Sequence, residues 1–557
     1  DWLSLRYQIG LDRYNDDRRR VVPPTTDVGA QVRGFVIEEK LTGQELNSNF
    51  LATIKPYSDK TWSTRLIVGN AVTASRGDGL SVRGEGLNSP NFYALSNATN
   101  FFYGQSFDKE RLIGVFADAS VDYDNVLFLN VTGRNDWTST LSFGNNSFFY
   151  NSASLSFVFS DIAAFKNAIS PKIFSFGKLR LSYAETGKGT GAFLTDTYYN
   201  VPGTFPFGAV SGLRRSSIIA SPDLRPERTG GLEFGADLRF FDNRFNIDFT
   251  YFDQSSKDQL LFVPITNATG YSRLLTNSGE VRNKGIELSV KTMPIKTRDF
   301  KWELNANYTK FGGDVVSVAP GISEVVVYDG LHIVSKSVPG GRVGDLYGFP
   351  YKRAADGKML IGADGFPTAA IGTYQKVGNS LPDFVMNFSS ALTYKGFRLS
   401  GLMEWRSGGD VFDLSLRNSI RNGILAVTDR RHEMVVFQGT KADGTPNTTP
   451  VEIEGEGWYR SEARYNGVSE NLLQDASWIR LRNVNLSYTL PSGLLSKSPF
   501  EDVRLTLTGN NLWLNTPYRG YDPEGLQFGA GSNAFGFSGL AIPSVRTFTM
   551  GLSVRFK

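Results

Sequence analysis

The sequence predicts an all-β fold, a transmembrane antiparallel up-and-down β-barrel that takes up residues 1–557 as one domain. Two observations predict this class. Apolar and polar residues alternate along many segments, as at Phe548, Met550 and Leu552, so each strand has one apolar and one polar face. Short turns also alternate with long loops, which is the rhythm of a barrel that crosses a membrane. A closed barrel suits lipid because it leaves no strand edge with unpaired backbone groups.

The alternation recurs in about 16 segments, a number within the range of membrane barrels. Segment 300–312 places Trp302 and Leu304 on one face, and Glu303 and Asn305 on the other. Charged and amide groups are costly in a dry core, so we expect the polar face to line a wet or plugged lumen and the apolar face to contact lipid. The predicted strands are 1–14, 33–56, 61–75, 108–123, 126–137, 147–160, 178–188, 229–241, 244–257, 280–293, 300–312, 382–394, 397–409, 477–490, 502–514 and 544–556.

The connections fall into two classes of length. Two-residue hairpin turns are predicted at Asp124-Asn125, Asp242-Asn243 and Lys395-Gly396. In a membrane barrel the short turns face the periplasm and the long loops face outward. The last strand then runs inward and leaves Phe556 and the C-terminus on the periplasmic side. Long loops are predicted at approximately 76–107, 189–228, 258–279, 313–381, 410–476 and 515–543.

Aromatic residues gather at segment ends and are candidates for the girdles at the two membrane interfaces. The alternative is that these rings are ordinary strand and hairpin-core aromatics. The set consists of Phe101, Phe102, Tyr103, Trp137, Phe148, Phe149, Tyr150 and Trp513.

Composition excludes several other classes. The chain has no cysteine, which excludes a disulfide framework and a thiolate metal site. A formal net charge of +4 over 557 residues gives no sign of nucleic-acid binding. No apolar run reaches the about 18 residues of a membrane-spanning helix. The chain starts at Asp1 without an initiator Met or a signal peptide, so we expect a processed or cut piece.

Residues with catalytic or metal-binding chemistry are sparse. The two histidines, His332 and His432, lie in different long loops, and nothing places a nucleophile beside either one. We therefore expect solvated loop histidines, no enzyme activity, no metal and no cofactor. Two charge runs, 18–20 and Arg430-Arg431, are interpreted as solvated loop residues, although contact with lipopolysaccharide or loop carboxylates stays open.

The long loops carry aromatic residues that are candidates for contact with a substrate or a lid. Flat rings beside polar neighbours suit stacking on sugar rings or peptide side chains. The alternative is that they pack the loops against one another. The candidates are Trp458, Tyr459, Tyr518, Tyr521, Phe528 and Phe535.

Several segments together resemble the SusC/RagA family of TonB-dependent outer-membrane transporters. The longest is 475–491, which resembles the family run ASFLRLRNVTLGYTLP. Each match is short, but they follow the family's order from about residue 108 onward. The matching segments are DASWIRLRNVNLSYTLP at 475–491, SPDLRPERT at 221–229, NSGEVRNKGIE at 277–287, VGNSLPDF at 377–384, VRLTLTGNNL at 503–512, GDLYG at 344–348 and SASL at 152–155.

The resemblance implies a barrel of about 22 strands with a plug domain and a TonB box, so this chain would be the C-terminal barrel portion without the plug. It implies nutrient import of oligosaccharides or oligopeptides, powered by TonB-ExbB-ExbD. It also implies a SusD-like surface lipoprotein as a lid, in a two-plus-two assembly. A complete smaller barrel acting as a passive porin stays open, as does a SusC-like barrel that serves as a scaffold in a larger outer-membrane machine.

The chain end resembles the β-signal read by the machinery that inserts barrels into the outer membrane. Its apolar positions are expected to template strand pairing at the insertion site. These positions are Met550, Leu552, Val554 and Phe556.

Overall fold

A computed structural model of the chain describes residues 2–26, 31–59, 61–201, 212–529, 532–539 and 541–557. Its main element is a 16-stranded antiparallel sheet in which the strands are ordered as they follow along the chain. The strands are β1 (Leu3–Val22), β2 (Phe35–Ile54), β3 (Trp62–Leu87), β4 (Ala98–Tyr123), β5 (Leu127–Thr138), β6 (Ser147–Phe157), β7 (Phe174–Lys188), β8 (Glu227–Phe240), β9 (Phe245–Lys257), β10 (Glu280–Lys296), β11 (Phe300–Ser317), β12 (Phe384–Tyr394), β13 (Phe397–Ser407), β14 (Trp478–Thr489), β15 (Phe500–Asn515) and β16 (Thr547–Phe556).

All sixteen predicted strands are confirmed, and the up-and-down order is confirmed with them. The first strand is longer than predicted, so the charge run 18–20 belongs to β1 and its interpretation as a loop was wrong. Arg18 and Arg19 face Glu39 and Glu38 across the β1–β2 ladder. Opposite charges at facing positions favour pairing, which lets the ladder continue through a polar stretch.

The predicted loop 76–107 was also wrong in its extent. Strand β3 continues to Leu87 and β4 starts at Ala98, so the connection between them covers only 88–97. The ladder continues through pairs such as Val82 with Tyr103. The backbone hydrogen bonds of a ladder do not require apolar side chains, so two strands can extend beyond their apolar band.

Left-handed backbone at polar residues forms the tight turns. Lys395 has φ of 52° and precedes Gly396, which confirms the predicted two-residue turn there. At the other two predicted hairpins, Asp124 and Asn125 have φ of 53° and 54°, and Asp242 and Asn243 have φ of 54° and 61°. Asp and Asn tolerate this conformation best among residues other than glycine. These two connections are slightly longer than predicted, covering 124–126 and 241–244.

The remaining elements lie in the longer connections. Parts of the predicted loops 189–228 and 515–543 lie outside the described residues. The short strands are Tyr199–Asn200, Arg214–Arg215, Ile218–Ile219, Leu260–Pro264, Arg273–Asn277, Val325–Gly330, Ile333–Ser337, Asp345–Gly348, Leu360–Ile361, Gln375–Asn379, Asp410–Asp413, Met434–Val435, Thr440–Lys441, Val451–Glu452, Leu473–Asp475 and Phe537–Ser538. The α-helices are Ala163–Ala168, Leu414–Arg421, Ser469–Leu472 and Ser492–Leu495.

By its contacts the chain divides into two compact units, the first formed by 1–157, 181–232 and 256–279, and the second by 158–180, 233–255 and 280–557. In the first unit a buried cluster of Leu141, Leu224 and Leu275 lies in the connections between strands. In the second unit the buried clusters also lie mainly in connections. The sheet strands themselves carry few buried apolar residues.

The apolar face of the strands is exposed. In the first unit Leu127, Leu129 and Val131 are exposed and the residues between them are half-buried. In the second unit Leu505 and Leu507 are exposed and alternate with half-buried threonines. Water-soluble proteins rarely expose contiguous apolar patches above a few hundred Å². Regular exposure of every second side chain is therefore explained by contact with lipid. Among the described residues, no helix has the length and apolar character to span a membrane.

Candidate functional site

Three connections of the second unit fold together into one body, which we call the loop assembly. It consists of the described residues of 318–383, 408–477 and 516–546. Segment Asp410–Asp413 pairs with Leu473–Asp475 and with Phe537–Ser538. All three connections contribute to one buried cluster, which contains Ile333, Leu346, Phe412, Leu472 and Phe537. The long loops are therefore not separate flexible excursions, because they share a core of their own.

The start of one helix in the loop assembly is tied to another connection through the residue that caps the helix. Asp413 caps helix Leu414–Arg421 by accepting hydrogen bonds from the backbone N–H of Ser415 and Leu416, at 2.8 and 3.1 Å. The buried Tyr518 donates its hydroxyl to the same carboxylate at 2.5 Å. Burial and this hydrogen bond raise the pKa of Tyr518 above its ordinary value, so the hydroxyl stays a donor at neutral pH.

The structure places three of the candidate aromatic residues in the interior. Trp458 and Tyr459 are 6% and 4% exposed and pack with Leu416, Ile420 and Ile453. The Tyr459 hydroxyl donates to the Val427 carbonyl at 2.6 Å. Both rings are covered on their faces, which favours the packing alternative for them and also for Tyr518, which is 6% exposed.

The other three candidates keep part of their surface free. Phe528 and Phe535 are half-buried, and the Phe528 ring lies 4.7 Å from the Tyr328 ring in an edge-to-face contact. Tyr521 is 77% exposed. A contact with a substrate or a lid is still a prediction for all six residues, and Tyr521 has the surface that such a contact needs.

One buried ion pair and a half-buried cluster of ion pairs attach the last connection to the sheet. Arg480 and Asp522 are 3% and 5% exposed at their side chains, and Arg480 Nη2 lies 2.5 Å from Asp522 Oδ1. Arg482 Nε bonds Glu404 of β13 at 2.8 Å, and the same guanidinium also pairs with Glu524. The fork of an arginine matches a carboxylate in two parallel hydrogen bonds, which fixes orientation as well as charge. Strand β14 thereby holds residues 522–524, and Glu404 of β13 orients Arg482.

The pKa of Asp522 lies below its ordinary value. Burial alone would raise it, but hydrogen bonds from the backbone N–H of Ser544 and Glu524, together with Arg480, outweigh the burial. The ionised carboxylate is therefore the form that holds the connection in place. Sequence reasoning missed this role of Arg480 and Arg482. The available signal was that two arginines on the polar face of one strand need partners.

The two histidines have different surroundings. His332 Nε2 lies 2.7 Å from Glu462, whose carboxylate also pairs with the buried Arg417 at 2.9 Å. Burial raises the pKa of Glu462, but Arg417 and His332 outweigh it, and the pKa falls below the ordinary value. His432 is exposed and lies 2.8 Å from Glu452. In the described part of the chain, no group of three or more histidines and carboxylates could hold a metal ion.

The predicted assembly signal lies on β16. Met550, Leu552 and Phe556 are exposed there, and Val554 is half-buried. The Phe556 ring lies 5.4 Å from the ring of Phe500 on β15.

Comparisons with known proteins give a consistent result. The family model described as TonB dependent receptor-like, beta-barrel matches residues 1–512. The chain is 24% identical to TonB-dependent receptor P3 of Formosa agariphila, over 100% of this chain and 57% of that protein. It is 24% identical to TonB-dependent receptor SusC of Bacteroides thetaiotaomicron, over 68% of this chain and 37% of that protein.

The fold matches solved structures over its whole length. The structure of the RagAB peptide transporter has a TM-score of 0.78 and 20% identity, and the match covers 99% of this chain and 60% of that chain. A RagAB peptide importer in the "open-open" state has the same TM-score of 0.78 at 18% identity, over 100% of this chain and 59% of that chain. The chain thus spans little more than half the length of the proteins it matches.

Proposed function

Because the chain belongs to the TonB-dependent receptor β-barrel family, a family of outer-membrane receptors and transporters rather than enzymes, we propose that it forms the barrel wall of a SusC-like importer. The cargo is an oligosaccharide or an oligopeptide that is too large for simple diffusion. The observation that supports a membrane wall is the exposed apolar face, which repeats on alternate residues of the strands. The C-terminus lies on the periplasmic side in this arrangement.

The proposal includes strands beyond the 16 of this chain. The matched proteins are much longer, with 57% of receptor P3 covered. We propose a complete barrel of about 22 strands with a plug and a TonB box, because an open sheet edge is not tolerated in lipid. TonB-ExbB-ExbD supplies the energy through the TonB box, since the outer membrane holds no potential of its own.

The proposed partner is a SusD-like surface lipoprotein that covers the barrel as a lid in a two-plus-two assembly. The loop assembly supports this proposal because it is a folded platform with its own core rather than a set of separate loops. Tyr521 offers an exposed ring on this platform. A stable partner of this kind is expected to bury more than about 2,000 Å² in total.

Deletion of TonB is expected to abolish uptake. Cells that depend on this transporter should take up a labelled oligosaccharide or oligopeptide substrate only with TonB present, because plug movement needs external energy. The measurement is accumulation of the label in cells with and without TonB, with outer-membrane abundance of the barrel held equal.

Unchanged uptake without TonB would identify a passive porin instead.

Purification in mild detergent followed by mass spectrometry tests the partner. A recovered complex that contains several unrelated envelope proteins and no lid lipoprotein would identify a scaffold.

Replacement of Phe556 by aspartate is expected to lower the outer-membrane abundance of the protein several-fold. A carboxylate at the last aromatic position cannot supply the apolar contact that the insertion machinery is proposed to read. Two quantities are measured in isolated outer membranes: the abundance of the protein, and the shift of its electrophoretic band on heating, which reports a folded barrel. Ser553→Asp is the control because it places the same carboxylate at an exposed position on the polar face of the same strand. Equal abundance of the Phe556 variant and the wild type would contradict the proposed signal.

A further inference from the structure

A recess with an excess of positive charge lies in connection 408–477, within the second unit. Its cavity measures about 320 Å³. Three short elements form its walls: the end of helix Leu414–Arg421, the turn Ala426–Arg430 and the turn Gly455–Tyr459. Three arginines line the recess, Arg421, Arg431 and Arg460, together with one carboxylate, Glu456.

Two of these arginines are free to bind a ligand. Arg460 is engaged, because its Nη1 lies 2.5 Å from Glu456. Across the described residues, Arg421 and Arg431 have neither a salt bridge nor a side-chain hydrogen bond. Each guanidinium offers five N–H donors in a fixed fork that matches a carboxylate, sulfate or phosphate.

Packing and hydrogen bonds hold the walls of the recess together. Ile420 and Tyr459 are buried in the cluster beneath it, and Thr428 is fully buried with its hydroxyl bonded to the Leu425 carbonyl at 2.7 Å. The Tyr459 hydroxyl fastens one wall to another through the Val427 carbonyl. A preformed cavity lowers the entropic cost of binding, because its walls do not have to be ordered by the ligand.

Helix electrostatics account for only part of this arrangement. Arg421 stands in the last turn of its helix, where a cation stabilises the partial negative charge of the free carbonyls. That reason does not extend to Arg431 and Arg460, which belong to other elements. Arg421 and Arg431, beside the Arg460–Glu456 pair, leave an excess of positive charge around one concave space that an anion would neutralise.

We propose that this recess binds an anionic group, a carboxylate or sulfate, of a soluble ligand. The cavity lies at the lower end of the size range of small-molecule sites, so it takes one charged residue of a longer oligomer rather than the whole oligomer. Its concave shape favours a single inserted group over a flat lipopolysaccharide surface. The identification of this anionic ligand as the cargo rests on the proposed import function. The binding of an anion by the recess does not.

Binding of matched charged and neutral oligomers to the protein extracted from outer membranes in detergent tests the proposal. The anionic probes are a galacturonate tetramer, a sulfated tetrasaccharide and a hexapeptide rich in glutamate, and each has a neutral counterpart of equal length. At least one anionic probe is expected to bind more tightly than its counterpart. Alanine at Arg421 and Arg431 should weaken that binding roughly tenfold for each arginine removed.

Neighbouring residues supply controls of opposite kinds. Arg430→Ala should leave binding unchanged, because Arg430 pairs with Glu433 and does not line the recess. Glu456→Gln should tighten binding, because it releases Arg460 and removes the one carboxylate. These exposed positions carry little folding risk, and the circular dichroism spectrum of each variant verifies that the barrel is intact.

Three outcomes would overturn the inference: no preference of any anionic probe over its counterpart, unchanged binding by the double alanine variant, or binding of lipopolysaccharide micelles alone. Direct binding does not require TonB. Failure of binding with TonB-dependent uptake intact therefore rejects this site alone. Intact binding with TonB-independent uptake rejects the import proposal.

Discussion

Replacing Arg480 with alanine is expected to release residues 516–529 from the sheet, at a local cost of about 3–5 kcal/mol. Arg480 and Asp522 form a buried pair, and the alanine variant leaves the Asp522 carboxylate without its cation. An uncompensated buried charge is far more costly than an ion pair that is absent from the start. Arg482 still contacts Glu524, so the effect should be centred on Asp522 rather than spread over the whole barrel.

Hydrogen exchange measured by mass spectrometry checks this prediction. Amides of 516–529 should lose most of their protection, while those of β14 and β15 keep theirs. Arg504→Ala is the control, since the exposed Arg504 on β15 has a single side-chain hydrogen bond, to Thr489 at 3.1 Å. Equal protection in the Arg480 variant and the wild type would show that the pair does not hold the connection.

The pair also gives the loop a defined response to acid. The pKa of Asp522 is lower in the folded protein than in an unfolded chain. Its contribution is therefore fully present above the ordinary carboxyl pKa of about 3.9 and is lost as the pH falls through the folded value. The difference in protection between wild type and the Arg480 variant should accordingly shrink in strong acid.

The strands could be predicted from the sequence because the alternation of apolar and polar side chains in a strand that borders lipid has a period of two residues over its whole length. Strand ends were less certain. In β1 and β3 the ladder continues through polar residues such as Arg18 and Arg76, where the alternation of apolar side chains has stopped but backbone pairing has not. In β1 the arginines face glutamates across the ladder, and such charge matching is a nonlocal property that one segment does not reveal.

The interior of the loop assembly could not be predicted in this way. Its strands are two to six residues long, and their partners are far apart in sequence, as with Phe412 and Phe537. Aromatic residues at such positions look the same whether they are packed or exposed. Only the fold separates the buried Trp458 from the exposed Tyr521. Of the two free arginines only Arg431 was visible in a charge run, and the cavity that it lines with Arg421 depends on three elements meeting.

Replacing Phe537 with alanine is expected to destabilise the loop assembly by about 3–5 kcal/mol. Phe537 is 2% exposed, and its ring lies 4.6 Å from Tyr328 and 6.4 Å from Phe412. These rings come from all three connections, so the cavity left by the variant would open at the point where the connections meet. Edge-to-face contacts would be lost in addition to buried area.

Phe535→Ala is the matched control, because Phe535 is two residues away on the same connection but only half-buried. Limited proteolysis of the purified protein separates the two variants: cleavage in 318–383 and 408–477 should accelerate strongly for Phe537→Ala and little for Phe535→Ala. Cleavage confined to 516–546 would mean that the three connections do not share one core. Because the lid is proposed to rest on this platform, the Phe537 variant should also lose its lipoprotein partner in mild detergent, while the strands keep their resistance to protease.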